Sequence, residues 1–119
     1  MNQSVLEELY QIVLERKEQY AQSGESAEEI KKKSYTCYLF SQGENKILKK
    51  CGEECTEMVI AAKNNDNYEL KNEISDLLYH IMVLCAEKNL PFSEVEDVLR
   101  ERSKKIGNLK VMKQVDRET

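Results

Sequence analysis

Two pairs of acids stand out along this chain, Glu54 with Glu57 and Glu73 with Asp76, each three residues apart. Three residues is close to one helical turn, so each pair lies on one side of its helix. Such pairs are common on solvated surfaces, and neither marks a site alone. What joins them is the segment between. NNDN, residues 64–67, has no helix-favouring residue and offers side chains that bond their own backbone, so it is expected to turn the chain between two antiparallel helices. About that turn Glu57 mirrors Glu73 and Glu54 mirrors Asp76, which puts four carboxylates at one level between two helices. Four such charges repel unless a cation joins them.

An all-oxygen, carboxylate-rich site suits Mg²⁺ or Mn²⁺ rather than Zn²⁺ or copper, and Mg²⁺ usually keeps positions for substrate phosphates. The same helix carries the complement: Lys46, Lys50, Glu54 and Glu57 form one stripe at helical spacing. Its two lysines stand ahead of the acids, where they could hold phosphate oxygens beyond the metal. Lys49 and Glu53 lie beside the stripe, either supporting the site or simply solvated. A plainer reading makes Lys50 and Glu54 an exposed ion pair worth roughly 0.3–0.5 kcal/mol. It accounts for those two residues and not for the mirrored acids.

The chain has four cysteines and one histidine. Cys51 and Cys55, with His80 and Cys85, offer a tetrahedral Zn²⁺ alternative. Helical phase opposes it, because both thiols fall within the apolar face of their helix and away from the carboxylates, where they are expected as core filler. Cys37 lacks the electropositive, base-flanked setting of a nucleophilic thiol. His80, four residues after Asp76, is expected on the acid side, to bond an acid, to touch substrate, or to serve structure alone.

The elements that must position these groups are helical. There is one proline and there are four glycines, strand-like alternation is scarce, and apolar residues recur at helical intervals. A first helix is expected over about 4–21, capped by Ser4 with Glu7. Residues 22–33, QSGESAEEIKKK, read as a charged, mobile connector with at most a short turn after Ser26. A brief helix ends at Gly43, a long one spans 44–63 with Ile47, Leu48, Cys51, Cys55, Met58, Val59 and Ala62 inward, and another spans about 68–88 with Leu70, Ile74, Leu77, Leu78, Ile81, Leu84 and Cys85 inward. Pro91 breaks it, and Ser93 with Glu96 caps a last helix to about 106. The expected fold is all-α: a helical bundle built on a long antiparallel helical hairpin. One domain covers 1–106, and 107–119 form a polar tail.

A chain of 119 residues buries only a small core, so a second copy is expected to complete the bundle as a homodimer. Lys and Arg total 18 against 22 Asp and Glu, a net charge of -4 that argues against a nucleic-acid partner. No apolar run approaches the roughly 18 residues of a membrane span and no secretion signal stands at the start, so a cytoplasmic protein with reduced thiols and no membrane partner is expected.

SYTCYLFSQGENKILKKCGEECTEMVIAAKN, followed by EISDLLYH, resembles the phosphoribosyl-ATP pyrophosphohydrolase family, all-α nucleotide pyrophosphatases related to MazG. The resemblance runs from about Val5 to Lys104. SYTxxL, KIxKKxGEExxE and ExxDLLYH together are specific to that family; the acid pairs alone indicate only the wider superfamily. It implies Mg²⁺-dependent hydrolysis of the α-β phosphate bond of 1-(5-phosphoribosyl)-ATP to phosphoribosyl-AMP and pyrophosphate, the second step of histidine biosynthesis, by a dimer. By motif position the family's metal-binding acids fall on Glu54, Glu57, Glu73 and Asp76. Glu53 completes GEExxE, which makes Glu53, Glu54 and Glu57 the candidate catalytic acids. Lys46, Lys49 and Lys50 match the basic segment, and Ser34, Tyr35 and Thr36 match a signature for substrate contact; with His80 these are the candidate substrate-binding residues.

The sequence departs from the family pattern at Cys51 and Cys55, where Val and Ala are usual, in the long connector before Ser34, and in an extended tail. Direct attack of water on phosphorus is expected, with Glu53 a candidate proton acceptor. Two other functions compete. One is a house-cleaning nucleoside triphosphate pyrophosphatase with the same acids; the other is a non-catalytic helical dimerisation module whose acids are solvated.

Overall fold

The computed structural model describes residues 4–105. Six α-helices account for nearly all of them, with no strand among the described residues: α1 Val5–Ser23, α2 Ala27–Lys33, α3 Tyr35–Gln42, α4 Glu44–Lys63, α5 Asn67–Glu87 and α6 Phe92–Lys105. The polar tail expected from residue 107 onward lies outside the described residues.

Local chemistry sets the boundaries. Ser4, Ser26 and Ser34 each turn a hydroxyl onto the backbone N–H three residues on, capping α1, α2 and α3. Gly24 ends α1 at φ 65°, a left-handed conformation that costs glycine little. The segment expected as a mobile connector holds α2: the Ser26 cap starts it and a single buried apolar residue, Ile30, anchors it. One buried side chain leaves too weak a periodicity to read in a run this charged.

Residues Asn64–Asp66 turn the chain, and the Asp66 carboxylate accepts from Glu69 N–H to cap α5. Helices α4 and α5 then pack on each other more extensively than any other pair. Helix α1 lies across α3 and α5, and α3 also touches α4. The core gathers Tyr10 and Val13 of α1, Leu39 and Phe40 of α3, Ile47 of α4, Met82, Val83 and Ala86 of α5, and Phe92 of α6. Three hydrogen bonds tie α1 to the end of α5 and the residues that follow it. The Tyr10 hydroxyl donates to Leu90 O at 2.8 Å, and Lys17 Nζ donates to Ala86 O at 2.7 Å and Asn89 Oδ1 at 2.9 Å. Lys17 thereby places a cation at the C-terminal end of α5, where the helix dipole favours it.

Two expectations about faces and one about a helix start need correction. Leu48, Cys55, Val59 and Ala62 of α4 are exposed, not inward. On α5 Ile74 and Leu78 are exposed, while Met82 and Val83 supply the deepest burial. Periodicity identifies an apolar stripe but not which part of it one chain can cover, and both long helices carry a wider stripe than α1 and α3 reach. Helix α6 begins at Phe92, one residue ahead of the expected Ser93 cap, and the buried Phe92 ring packs against Tyr10 with centroids 5.8 Å apart. No described helix is long and apolar enough to cross a membrane.

Candidate functional site

The facing sides of α4 and α5 bring Glu54, Glu57 and Glu73 together. One carboxylate oxygen from each lies within 4.8 Å of the other two. Glu54 is buried and Glu73 half-buried, and Glu54 Oε2 and Glu73 Oε2 are both buried without any hydrogen-bond partner. Two orphaned anionic oxygens facing a third carboxylate are costly unless a cation or proton joins them. The arrangement fits a hard divalent cation bound through oxygen, and nothing in it favours thiolate or imidazole ligation.

The strain falls on Glu73. Its carboxyl is pushed up to about 7 from an ordinary 4.5, first by a hydrogen bond with Glu57, then by burial, then by the charges of Glu57, Glu54 and Asp76. A proton does in part what a metal would do better. Asp76, one turn further along α5, is exposed and its carboxylate is not part of the close group. It raises Glu73 through space.

Lys50 is the cation nearest the acids. Its Nζ lies 3.5 Å from Glu53 Oε1 and 3.7 Å from Glu54 Oε1. Burial works to lower the ammonium, but Tyr35, Glu53 and Glu54 outweigh it and raise the group overall. Glu53, exposed, is therefore fixed beside the close group and not in it. Lys49 is also exposed and lines a shallow groove along α4 with Glu53 and Glu57, while Lys46 is half-buried one turn ahead of Lys50.

The SYT segment packs over the same end of α5. Ser34 spends its side chain on the α3 cap, accepting from Cys37 N–H at 3.2 Å. Thr36 and Tyr79 share a hydroxyl–hydroxyl bond. The Tyr35 hydroxyl lies 3.2 Å from His80 Nε2, and His80 Nδ1 lies 2.7 Å from Asp76 O. His80 is buried, so it bonds the main chain of Asp76 rather than its carboxylate. Sequence reasoning quoted both SYT and LYH but gave Tyr79 no role and did not join the two segments; the signal was their shared position beside the acids.

The thiols take no part in the acid group. Cys51 is half-buried with its Sγ 3.5 Å from His80 O, whereas Cys55 is exposed and fills no core. Burial raises the Cys51 and Cys85 thiols, which keeps both in the unreactive form.

Comparison with known proteins agrees with the resemblance carried by these segments. Residues 16–103 match the family model described as phosphoribosyl-ATP pyrophosphohydrolase. A protein of Bacillus cereus named phosphoribosyl-ATP pyrophosphatase is 53% identical over 83 residues, covering 70% of this chain and 78% of its own length. One of Bacillus mycoides with the same name is 50% identical over 96 residues, covering 77% and 90%. A Clostridium novyi protein, also so named, is 45% identical over 109 residues, covering 92% and 90%. Together with the acids gathered between α4 and α5, these matches make the chain a member of the phosphoribosyl-ATP pyrophosphohydrolase family, and thereby an enzyme of the hydrolase class.

Proposed function

We propose that this chain hydrolyses the α-β phosphate bond of 1-(5-phosphoribosyl)-ATP to phosphoribosyl-AMP and pyrophosphate, with Mg²⁺ or Mn²⁺, as the second step of histidine biosynthesis. The observation that carries the proposal is the group Glu54, Glu57 and Glu73, with two of its oxygens buried and unpartnered. Those three acids would hold the cation, and Asp76 would join them from the next turn of the α4–α5 hairpin. When bound, the ion neutralises phosphate charge and lowers the pKa of a coordinated water.

The remaining work belongs to the side chains. Lys50, held by Glu53 and Glu54, presents a positive charge beside the acids where negative charge grows on the departing pyrophosphate. Lys46 and Lys49 add charge on the same helix. Glu53, 3.5 Å from Lys50 and outside the close group, is the candidate to accept the proton of the attacking water. The new bond joins water oxygen to phosphorus, the bridging P–O bond breaks, and pyrophosphate leaves without a covalent enzyme intermediate.

We further propose that the working form is a homodimer. Leu48, Cys55 and Val59 leave one face of α4 open, and the Cα radius of gyration of 16.9 Å exceeds the roughly 13 Å of a compact domain near this length. A second copy covering α4 would remove that exposed apolar surface.

A house-cleaning nucleotide pyrophosphatase would share the acids, so substrate preference discriminates. Turnover of phosphoribosyl-ATP is compared with that of dUTP, dCTP and ATP. At least a hundredfold preference for phosphoribosyl-ATP in kcat/KM is expected; equal or faster turnover of dUTP or dCTP would refute the assignment.

A further inference from the structure

Tyr35 opens α3 and stays 41% exposed, although its hydroxyl points inward to His80. His80 is 5% exposed and engaged at both ring nitrogens. The Asp76 carbonyl can only accept, which assigns the Nδ1 proton; Nε2 of a neutral ring then accepts, and the Tyr35 hydroxyl must be the donor. Neither imidazole nitrogen is left to transfer a proton or to meet a ligand. The Tyr35 ring is fixed as well. It meets His80 edge-on at 5.9 Å and lies tilted against Tyr38 and Tyr79, each with centroids 6.4 Å away.

The fixed ring stands beside the turn of α5 that carries the acids: its hydroxyl bonds His80, whose other ring nitrogen bonds the Asp76 carbonyl. The Tyr35 hydroxyl is within electrostatic reach of Lys50, Glu53 and Glu54, and burial holds that phenol in its protonated, donating form. A rigid, partly open aromatic beside a phosphate-binding group suits the base of a nucleotide, because every base has a π-face that stacks on such a ring.

We infer that Tyr35 receives the nucleobase of the substrate on its ring rather than through its hydroxyl, and that His80 is a positioning residue that holds the ring there. The inference deepens the proposed activity and rests on the substrate being a nucleotide. His80 does no proton transfer in the reaction.

The test is steady-state hydrolysis of phosphoribosyl-ATP by the full chain and by Tyr35→Ala, Tyr35→Phe, His80→Ala, His80→Gln and the double variant Tyr35→Phe/His80→Ala, with AMP binding by calorimetry and inhibition by pyrophosphate alongside. Tyr35→Ala should raise KM and weaken AMP binding about tenfold or more, with pyrophosphate inhibition unchanged. Tyr35→Phe and His80→Ala should each raise KM by the same smaller factor, about threefold, and the double variant should do no worse, since both delete one bond. His80→Gln, whose amide oxygen can still accept from Tyr35, should recover most of the loss. Melting temperatures show whether His80→Ala folds; Tyr35→Phe, at a partly exposed position, tests the clamp even where it does not. If Tyr35→Ala binds AMP and substrate like the parent chain, the inference falls. A hundredfold loss of kcat at constant KM in both His80 variants overturns it too, by making His80 an acid or base. Failure of the parent chain to turn over phosphoribosyl-ATP would strike the proposed activity instead, and the AMP arm would still decide the role of Tyr35.

Discussion

Glu73 on α5 faces Glu57 on α4 with carboxylate oxygens within 4.8 Å of each other, and Glu57 is first among the groups that push the Glu73 carboxyl up to about 7. The metal-free site is therefore a proton trap. Folded, Glu73 keeps its proton to about pH 7; unfolded, it releases it near the ordinary 4.5. A raised acid contributes stability that is complete below the unfolded value and is lost as pH rises through the folded one. In EDTA the melting temperature should fall between about pH 5 and pH 8. Mg²⁺ should restore most of the loss at pH 8 and little at pH 5, since cation and proton compete for the same oxygens. A flat or rising curve in EDTA, or no Mg²⁺ effect at pH 8, would contradict this account.

Glu57→Gln separates stability from chemistry. The amide can still hydrogen-bond Glu73, and it removes one of the charges that crowd the group. Without metal the variant should melt no lower than the parent chain. Its hydrolysis should nevertheless fall by roughly 100-fold, and its Mg²⁺-induced thermal shift should shrink. Full Mg²⁺-dependent activity in this variant would return the acids to solvated surface, as a non-catalytic helical module requires.

Asp76→Asn tests the fourth acid. Because the Asp76 carboxylate is exposed and outside the close group, its removal should weaken the Mg²⁺ response by about tenfold, less than the loss from Glu57→Gln. A titration of activity against free Mg²⁺ reads the difference. Equal or larger loss at Asp76 would make it a principal ligand.

Val59 is 53% exposed on α4, in line with Leu48 and Cys55. Val59→Lys should cost a lone chain no more than about 0.5 kcal/mol, yet it would bury a charge in a dimer seated on that face. Sedimentation should give twice the chain mass for the parent protein and a lighter species for the variant. A parent protein that sediments as a single chain, or a variant that stays paired, would refute this interface.

Much of the architecture was legible because its signals are local. Ser4 marks the start of α1, Gly43 and residues 64–66 bracket α4, and the mirrored numbering put Glu57 opposite Glu73. Mirroring about a turn sets the height of a side chain, not its direction, so it could not separate Asp76, whose carboxylate is outside the close group, from the three acids within it. Helical phase set Cys55 among apolar neighbours but said nothing of what covers them. The bond from His80 to a main-chain carbonyl was out of reach because backbone partners leave no trace in residue types. Ile30 was hidden in a run of charges that otherwise reads as loop.

The central claim is metal-dependent cleavage of one bond in one substrate, and the most direct measurement is pyrophosphate release from phosphoribosyl-ATP by the purified chain with Mg²⁺ and with excess EDTA. The expected result is stoichiometric phosphoribosyl-AMP and pyrophosphate with Mg²⁺, near-complete loss in EDTA, and recovery when Mg²⁺ is restored. Undiminished hydrolysis in EDTA, or release of orthophosphate in place of pyrophosphate, would contradict it.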